Sequence, residues 1–140
     1  MPHRGRTTAI LLATGVVVVA VLVVSNFWDI VWLLQSDSQR IQGKWKVVSG
    51  TEFQMRCTIE KQAMTFKVGR EQVLQLTYRI DVGQRPRCID TTRPDGTTYS
   101  GIYEFNGDTL RICASNVETG ERPTTFNSKT DGEVMVLQRE

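Results

Sequence analysis

Between positions 43 and 139 the chain alternates apolar and polar residues in short runs, and no stretch of ten or more residues repeats with a helical period. Period-two alternation puts one apolar face on each run, which is the pattern of antiparallel strands packed on one side. Turn residues punctuate the runs and delimit eight candidate strands: 43–50, 53–60, 63–68, 71–81, 87–92, 97–105, 108–115 and 133–139. The second run puts Phe53, Met55, Cys57 and Ile59 on one face, and the third puts Met64, Phe66 and Val68 there. The fourth sets Leu74, Leu76, Tyr78 and Ile80 against Gln75, Thr77 and Arg79.

Two turns are specified locally. Asn106-Gly107 between strand-like runs predicts a two-residue type I′ hairpin, since both central positions of that turn need positive φ. The implied register pairs Phe105 with Asp108, Tyr103 with Leu110, Gly101 with Ile112 and Tyr99 with Ala114. Tyr99, Tyr103, Phe105, Leu110, Ile112 and Ala114 then share the inward face, opposite Glu104, Thr109, Arg111 and Cys113. Arg93-Pro94-Asp95-Gly96 predicts a second turn, with Pro pre-set for it and Gly free to take a left-handed conformation.

The same faces decide the cysteines. The chain has three, at 57, 88 and 113, an odd number that leaves at least one unpaired within the chain. Cys57 is expected inward and Cys113 outward. Cys88 is expected outward, but with strand 97–105 between it and Cys113. Two strand spacings of ~4.8 Å each separate those Cα atoms by about 10 Å, beyond the ~7 Å reach of a disulfide. The reading therefore has no intrachain bridge.

Eight antiparallel strands in roughly 100 residues, without crossover helices, fit an all-β up-and-down barrel. Closure removes exposed sheet edges, and a β-sandwich is the alternative. Residues 116–132 are expected to form a surface loop pinned by Phe126. Residues 35–42 are expected to be a polar linker or a helical turn.

The chain's other constraint lies at positions 9–24, "AILLATGVVVVAVLVV", which carry no charge and follow His3, Arg4 and Arg6. Residues 7–25 make about 28 Å of helix at 1.5 Å per residue, close to the ~30 Å hydrocarbon core of a bilayer. Phe27, Trp28 and Trp32 follow, as expected at a membrane–water interface. One reading is an uncleaved transmembrane signal anchor through residues 7–25. The other is a secretory signal cleaved near Val23-Val24-Ser25. The apolar run exceeds the usual signal-peptide core, and cleavage leaves "IVWLL" at 30–34 exposed, so the anchor is favoured. Either way the expected domain, residues 36–140, lies outside the cytoplasm, with residues 1–35 as anchor and juxtamembrane segment.

Charge offers no nucleic-acid footprint. The 17 Lys and Arg fall to 15 once Arg4 and Arg6 are set aside, and the 15 Asp and Glu fall to 14 without Asp29. The resulting balance near +1 over 36–140 does not attract a polyanionic backbone. Arg85, Arg87 and Arg93 cluster along the chain but alternate with Pro86, Asp90 and Asp95, as in a solvated loop.

Four blocks in order, "IQGKWKVVSG", "GIYEFNGDTLRIC", "RPTTF" at 122–126 and "VMVLQRE", resemble a small uncharacterised bacterial domain family best known from planctomycetes. The resemblance covers about residues 39–140; within 51–92 only "YRID" and the Asp90 segment share in it. It implies a lipocalin-like barrel and no established activity. Gly43-x-Trp45 also resembles the Gly-x-Trp on the first strand of true lipocalins, where an Arg from the last strand covers the Trp. Arg139 is the matching position, which implies a barrel-closing pair of Trp45 and Arg139.

Two candidate chemistries remain. Inward Tyr78, Tyr99, Tyr103 and Phe105, beside Phe66, are the ligand-binding candidates: an apolar lining with hydroxyls that orient a small apolar ligand. The competing reading is that an eight-stranded barrel is only wide enough for its own side chains. Catalytic residues are not evident: the only His is His3, so the domain holds no Ser-His or Cys-His pair. The cysteines form no Cys-x-x-Cys pair and the usual zinc sets are missing, so no metal and no cofactor is expected. The expected function is thus a membrane-anchored barrel binding a small apolar ligand, with an envelope protein-interaction or structural module as the alternative.

Overall fold

The structure, a computed structural model, describes residues 36–51, 54–115, 120–128 and 132–140. The expected anchor at 7–25 and the position of Phe53 lie outside the described residues. Among the described residues no helix is long and apolar enough to cross a membrane. Residues Asp37–Glu140 form one compact unit.

It opens with one helical turn, α1 (Asp37–Arg40), and continues as eight strands. These are β1 (Gly43–Ser49), β2 (Met55–Glu60), β3 (Ala63–Val68), β4 (Glu71–Asp81), β5 (Arg87–Thr92), β6 (Thr98–Asn106), β7 (Thr109–Ala114) and β8 (Glu133–Arg139). Every strand pairs antiparallel with its sequence neighbours, and β8 returns to β1, closing an up-and-down barrel. The sandwich alternative is excluded by this closure, which leaves no free edge to template association. All eight strands lie within two residues of the bounds read from alternation.

The inward faces merge into one core. Trp45, Cys57, Ile59, Met64, Ile89, Tyr103, Leu110 and Leu137 are at most 1 % exposed, and Val47, Phe66, Tyr78 and Ile112 join the same cluster. Burial of this order is the main stabilising term for a sheet closed on itself.

The β6–β7 hairpin departs from expectation. Asn106 pairs with Thr109, Phe105 with Leu110, Tyr103 with Ile112 and Gly101 with Ala114. The two-residue turn is therefore Gly107-Asp108, and Gly107 alone has positive φ, at 56°. That is the pattern of a type II′ turn, with Gly first, rather than the type I′ turn centred on Asn-Gly. The register moves by two residues, so every side chain keeps its expected face. The β5–β6 turn follows the sequence: Gly96 N–H donates to Arg93 O at 2.9 Å, Thr97 N–H donates to Asp95 Oδ1, and Gly96 has φ 90°.

Bulges interrupt two ladders. Between Val47 and Ser49 the β1 strand carries Val48 as an extra residue against β8, and β4 carries Val73 as an extra residue against β3.

Candidate functional site

Chain direction gives the barrel two ends. At one, β1, β3, β5 and β7 begin and α1 lies across the opening; at the other, the same strands finish.

The α1 end is closed by side chains that sequence order scatters widely. Trp45 and Arg139 are direct partners in the β1–β8 ladder, and the Arg139 guanidinium lies 4.1 Å from the Trp45 ring centroid. Arg139 also donates to the carbonyl of Gln42 at 3.0 Å and to that of Arg40, while Trp45 Nε1 donates to Ile41 O at 3.0 Å. Gly43 makes room for this: its φ is 122°, and a Cβ there falls 2.9 Å from Arg139 Nη1. Burial lowers the Arg139 pKa below the ordinary guanidinium value, and the carbonyl acceptors offset part of that cost.

A second set of contacts fastens α1. Tyr103 donates to Asp37 Oδ2 at 2.7 Å, and Arg87 sits 3.1 Å from the same oxygen. The Arg40 guanidinium stacks 4.3 Å over Phe105, whose ring meets Tyr103 edge-on at 5.9 Å. Burial, reinforced by the Asp37 carboxylate, raises the Tyr103 phenol above its usual range. Beside it, Tyr78 donates to Lys61 O at 2.8 Å and accepts from Gln42 Nε2 at 2.9 Å. Gln42 also accepts from Lys61 N–H at 2.6 Å. Lys61 is the one described non-glycine residue with positive φ, 56°, and these bonds hold its strained turn in place. Burial raises the Tyr78 pKa as well.

The four aromatic candidates are thus divided. Tyr103 and Phe105 pack together under α1. Tyr78 lines a cleft of about 310 Å³ with Ser38, Gln42 and Lys61 at the same end. Tyr99 belongs to the opposite mouth, where Arg93 lies 5.1 Å over its ring and a cleft of about 240 Å³ is lined by Leu74, Leu76, Thr91 and Ser115. The row Tyr78–Thr91–Tyr99 crosses three strands in register, but strand tilt carries it from one end toward the other. Between the two ends the barrel is occupied by its own core.

Outside the barrel, Cys88, Ile102, Cys113 and Val134 form one row across β5 to β8. Cys88 and Cys113 therefore share a face with β6 between them, and none of the three cysteines forms a disulfide. Cys113 is nonetheless 0 % exposed, and residues 120–128 pack on this outer face. Arg122 of that segment donates to Gly101 O at 2.6 Å and sits 2.8 Å from Asp90 Oδ1. Its neighbour Pro123 is buried, and Phe126 lies under Arg111 at 4.7 Å. Phe126 is expected from sequence as the pin; Arg122 is the contact that sequence reading missed.

Sequence reading also missed a charge row. Lys46 pairs with Arg56, and Arg56 with Lys67, so three cations stand side by side on adjacent strands. Each comes from a different strand, so no window of the sequence contains the row. The arginines that do cluster in sequence disperse: Arg87 goes to Asp37, Arg93 to Tyr99, and Arg85 to the carbonyls of Val82 and Gln84. Among the described residues no group of three or more His, Cys, Asp or Glu is placed to hold a metal ion.

What this geometry defines is a closed eight-stranded antiparallel barrel, filled inside and capped at one end. Comparison of the chain with protein families, curated proteins and solved structures returns no match.

Proposed function

We propose that this chain is a membrane-anchored, extracytoplasmic, lipocalin-like barrel that serves as an interaction or structural module of the cell envelope, working through its outer surface. One observation carries the reading: the inward side chains of all eight strands meet in one buried cluster, and the Tyr78 and Tyr103 hydroxyls already donate to Lys61 O and Asp37. A barrel built to hold a ligand keeps convergent polar groups free for it. The four sequence blocks and the Trp45–Arg139 pair support the lipocalin-like assignment, and the uncharged stretch 7–25 supports the anchor. No cofactor, metal or catalytic group enters this reading.

A second reading keeps a small apolar ligand, moved from the interior to the mouth at Tyr99. The cleft there, with Leu74, Leu76 and Tyr99 in its wall, favours it. Native mass spectrometry of the detergent-extracted full chain, together with crosslinking in the membrane, separates the two. A crosslinked protein partner and a ligand-free mass support the surface reading. A stoichiometric small molecule lost on Tyr99→Ala replaces it with the ligand reading.

A further inference from the structure

The row Lys46–Arg56–Lys67 sets like charges directly opposite one another on neighbouring strands, an arrangement that destabilises a sheet by itself. Glu140 neutralises one member, lying 2.8 Å from Arg56. Among the described residues Lys46 and Lys67 have no ion pair, and Lys44 adds a further exposed cation two residues along β1. Two apolar side chains flank the row. Val48 and Val73 are 51 % and 50 % exposed, two of the three large hydrophobics that the described surface leaves open. Both sit at β-bulges, the devices by which a strand re-aims a side chain. Cations across the centre with exposed valines at both sides combine the two chemistries of an interfacial contact: attraction to anionic headgroups and shallow apolar insertion. A soluble polyanion rewards the first alone.

We propose that the outer face from β1 to the adjoining start of β4 docks on an anionic lipid surface through Lys46 and Lys67, with Val48 and Val73 entering the headgroup layer. This rests on the anchor reading, since a tether to a membrane raises the local concentration of that surface. Row and valines together make the face an orientation device: they select which side of the barrel lies against lipid and which is left for a partner.

The test uses the full chain in vesicles, with Val73→Cys carrying a polarity-sensitive fluorophore in a Cys88→Ser background, the other two cysteines being buried. Vesicles are phosphatidylcholine, with or without about 30 mol % phosphatidylglycerol. The expected result is a blue shift with the anionic lipid only, reversed by about 0.5 M salt. The docked-to-free ratio is expected to fall about five-fold for each of Lys46→Gln and Lys67→Gln. No shift, an equal shift in neutral lipid, or a response to heparin but not to vesicles overturns the proposal. Alkaline extraction tests the anchor separately. A chain released by it refutes the anchor alone, and docking is then read by adding vesicles to the released protein.

Discussion

Trp45 is held from three directions: Arg139 over its ring, the Ile41 carbonyl at its indole N–H, and the core beneath. Truncation to Ala removes the largest fully buried side chain of the domain and leaves Arg139 stacked on nothing. We expect Trp45→Ala to cost ~3–5 kcal/mol, read as a lower urea midpoint with an unchanged slope. Arg139→Lys retains the charge but loses the planar fork that reaches two carbonyls, and it should recover only part of the stability lost in Arg139→Ala. Cys57 gives a different signature. Burial pushes its pKa up to about 12 from an ordinary 9.0, so the folded state keeps the thiol proton when the unfolded chain releases it. The contribution is complete below pH 9 and is lost as pH rises from 9 toward 12, at up to ~1.4 kcal/mol per pH unit. Stability of Cys57→Ala should therefore fall less steeply than wild type across that window in parallel denaturant titrations; equal slopes would refute a buried neutral thiol. At this scale the sequence was partly legible. Alternation put Trp45 and Arg139 on the inward face near their strand ends, which is where they meet. Asp37 was not legible, because its partners Arg87 and Tyr103 are 50 and 66 residues away and nothing local marks it.

Strands were the most readable elements, because each carries its own periodicity and its own punctuation. Register was less so. Asn106-Gly107 admits two neighbouring hairpin frames, both of which match strand twist and set Tyr103 against an apolar partner, and the one adopted has Gly107 as the first turn residue and Tyr103 opposite Ile112. The return segment shows the limit most clearly. Residues 120–128 hold no regular structure, so no period reveals which face they cover. Only the three-dimensional sheet exposes Gly101 O, where Arg122 docks. Gly101 is fixed by the sheet itself, since a Cβ on it falls 2.7 Å from Cys113 O on β7 and 3.2 Å from Ile89 O on β5. The Arg122 clamp predicts thiol reactivity. In the native protein Cys88 should alkylate readily, while Cys57 and Cys113 stay protected until unfolding. Arg122→Ala removes the donor to Gly101 O and the charge beside Asp90, and it should raise the Cys113 alkylation rate at least ten-fold while leaving Cys57 protected. A Cys113 rate unchanged in that variant would show that other residues cover it. Losing a donor to a half-buried carbonyl costs ~1–3 kcal/mol, small enough for the barrel to stay folded during the assay.

The whole molecule closes because β8 meets β1, and it fills because eight short strands enclose a space that Trp45, Phe66, Tyr103, Met64 and their neighbours occupy. Closure and filling have different consequences. Closure disposes of the sheet edges, so association must use side chains on the outer faces or the rims, which is where the charge row, the exposed valines and the return segment lie. Filling predicts how the interior answers a small apolar probe. Benzene enters a dry cavity of roughly 150 Å³ and stabilises the protein that contains it. The wild-type barrel should show no rise in melting temperature with benzene. Phe66→Ala opens a hole in the central layer at a cost of ~3–5 kcal/mol, and benzene should restore part of that loss. Ile112→Ala, a smaller hole with a smaller penalty, should do the same to a lesser degree and serves if the first variant folds poorly. Stabilisation of the wild type itself would mean that an internal ligand space exists, and the small-ligand reading would displace the surface one.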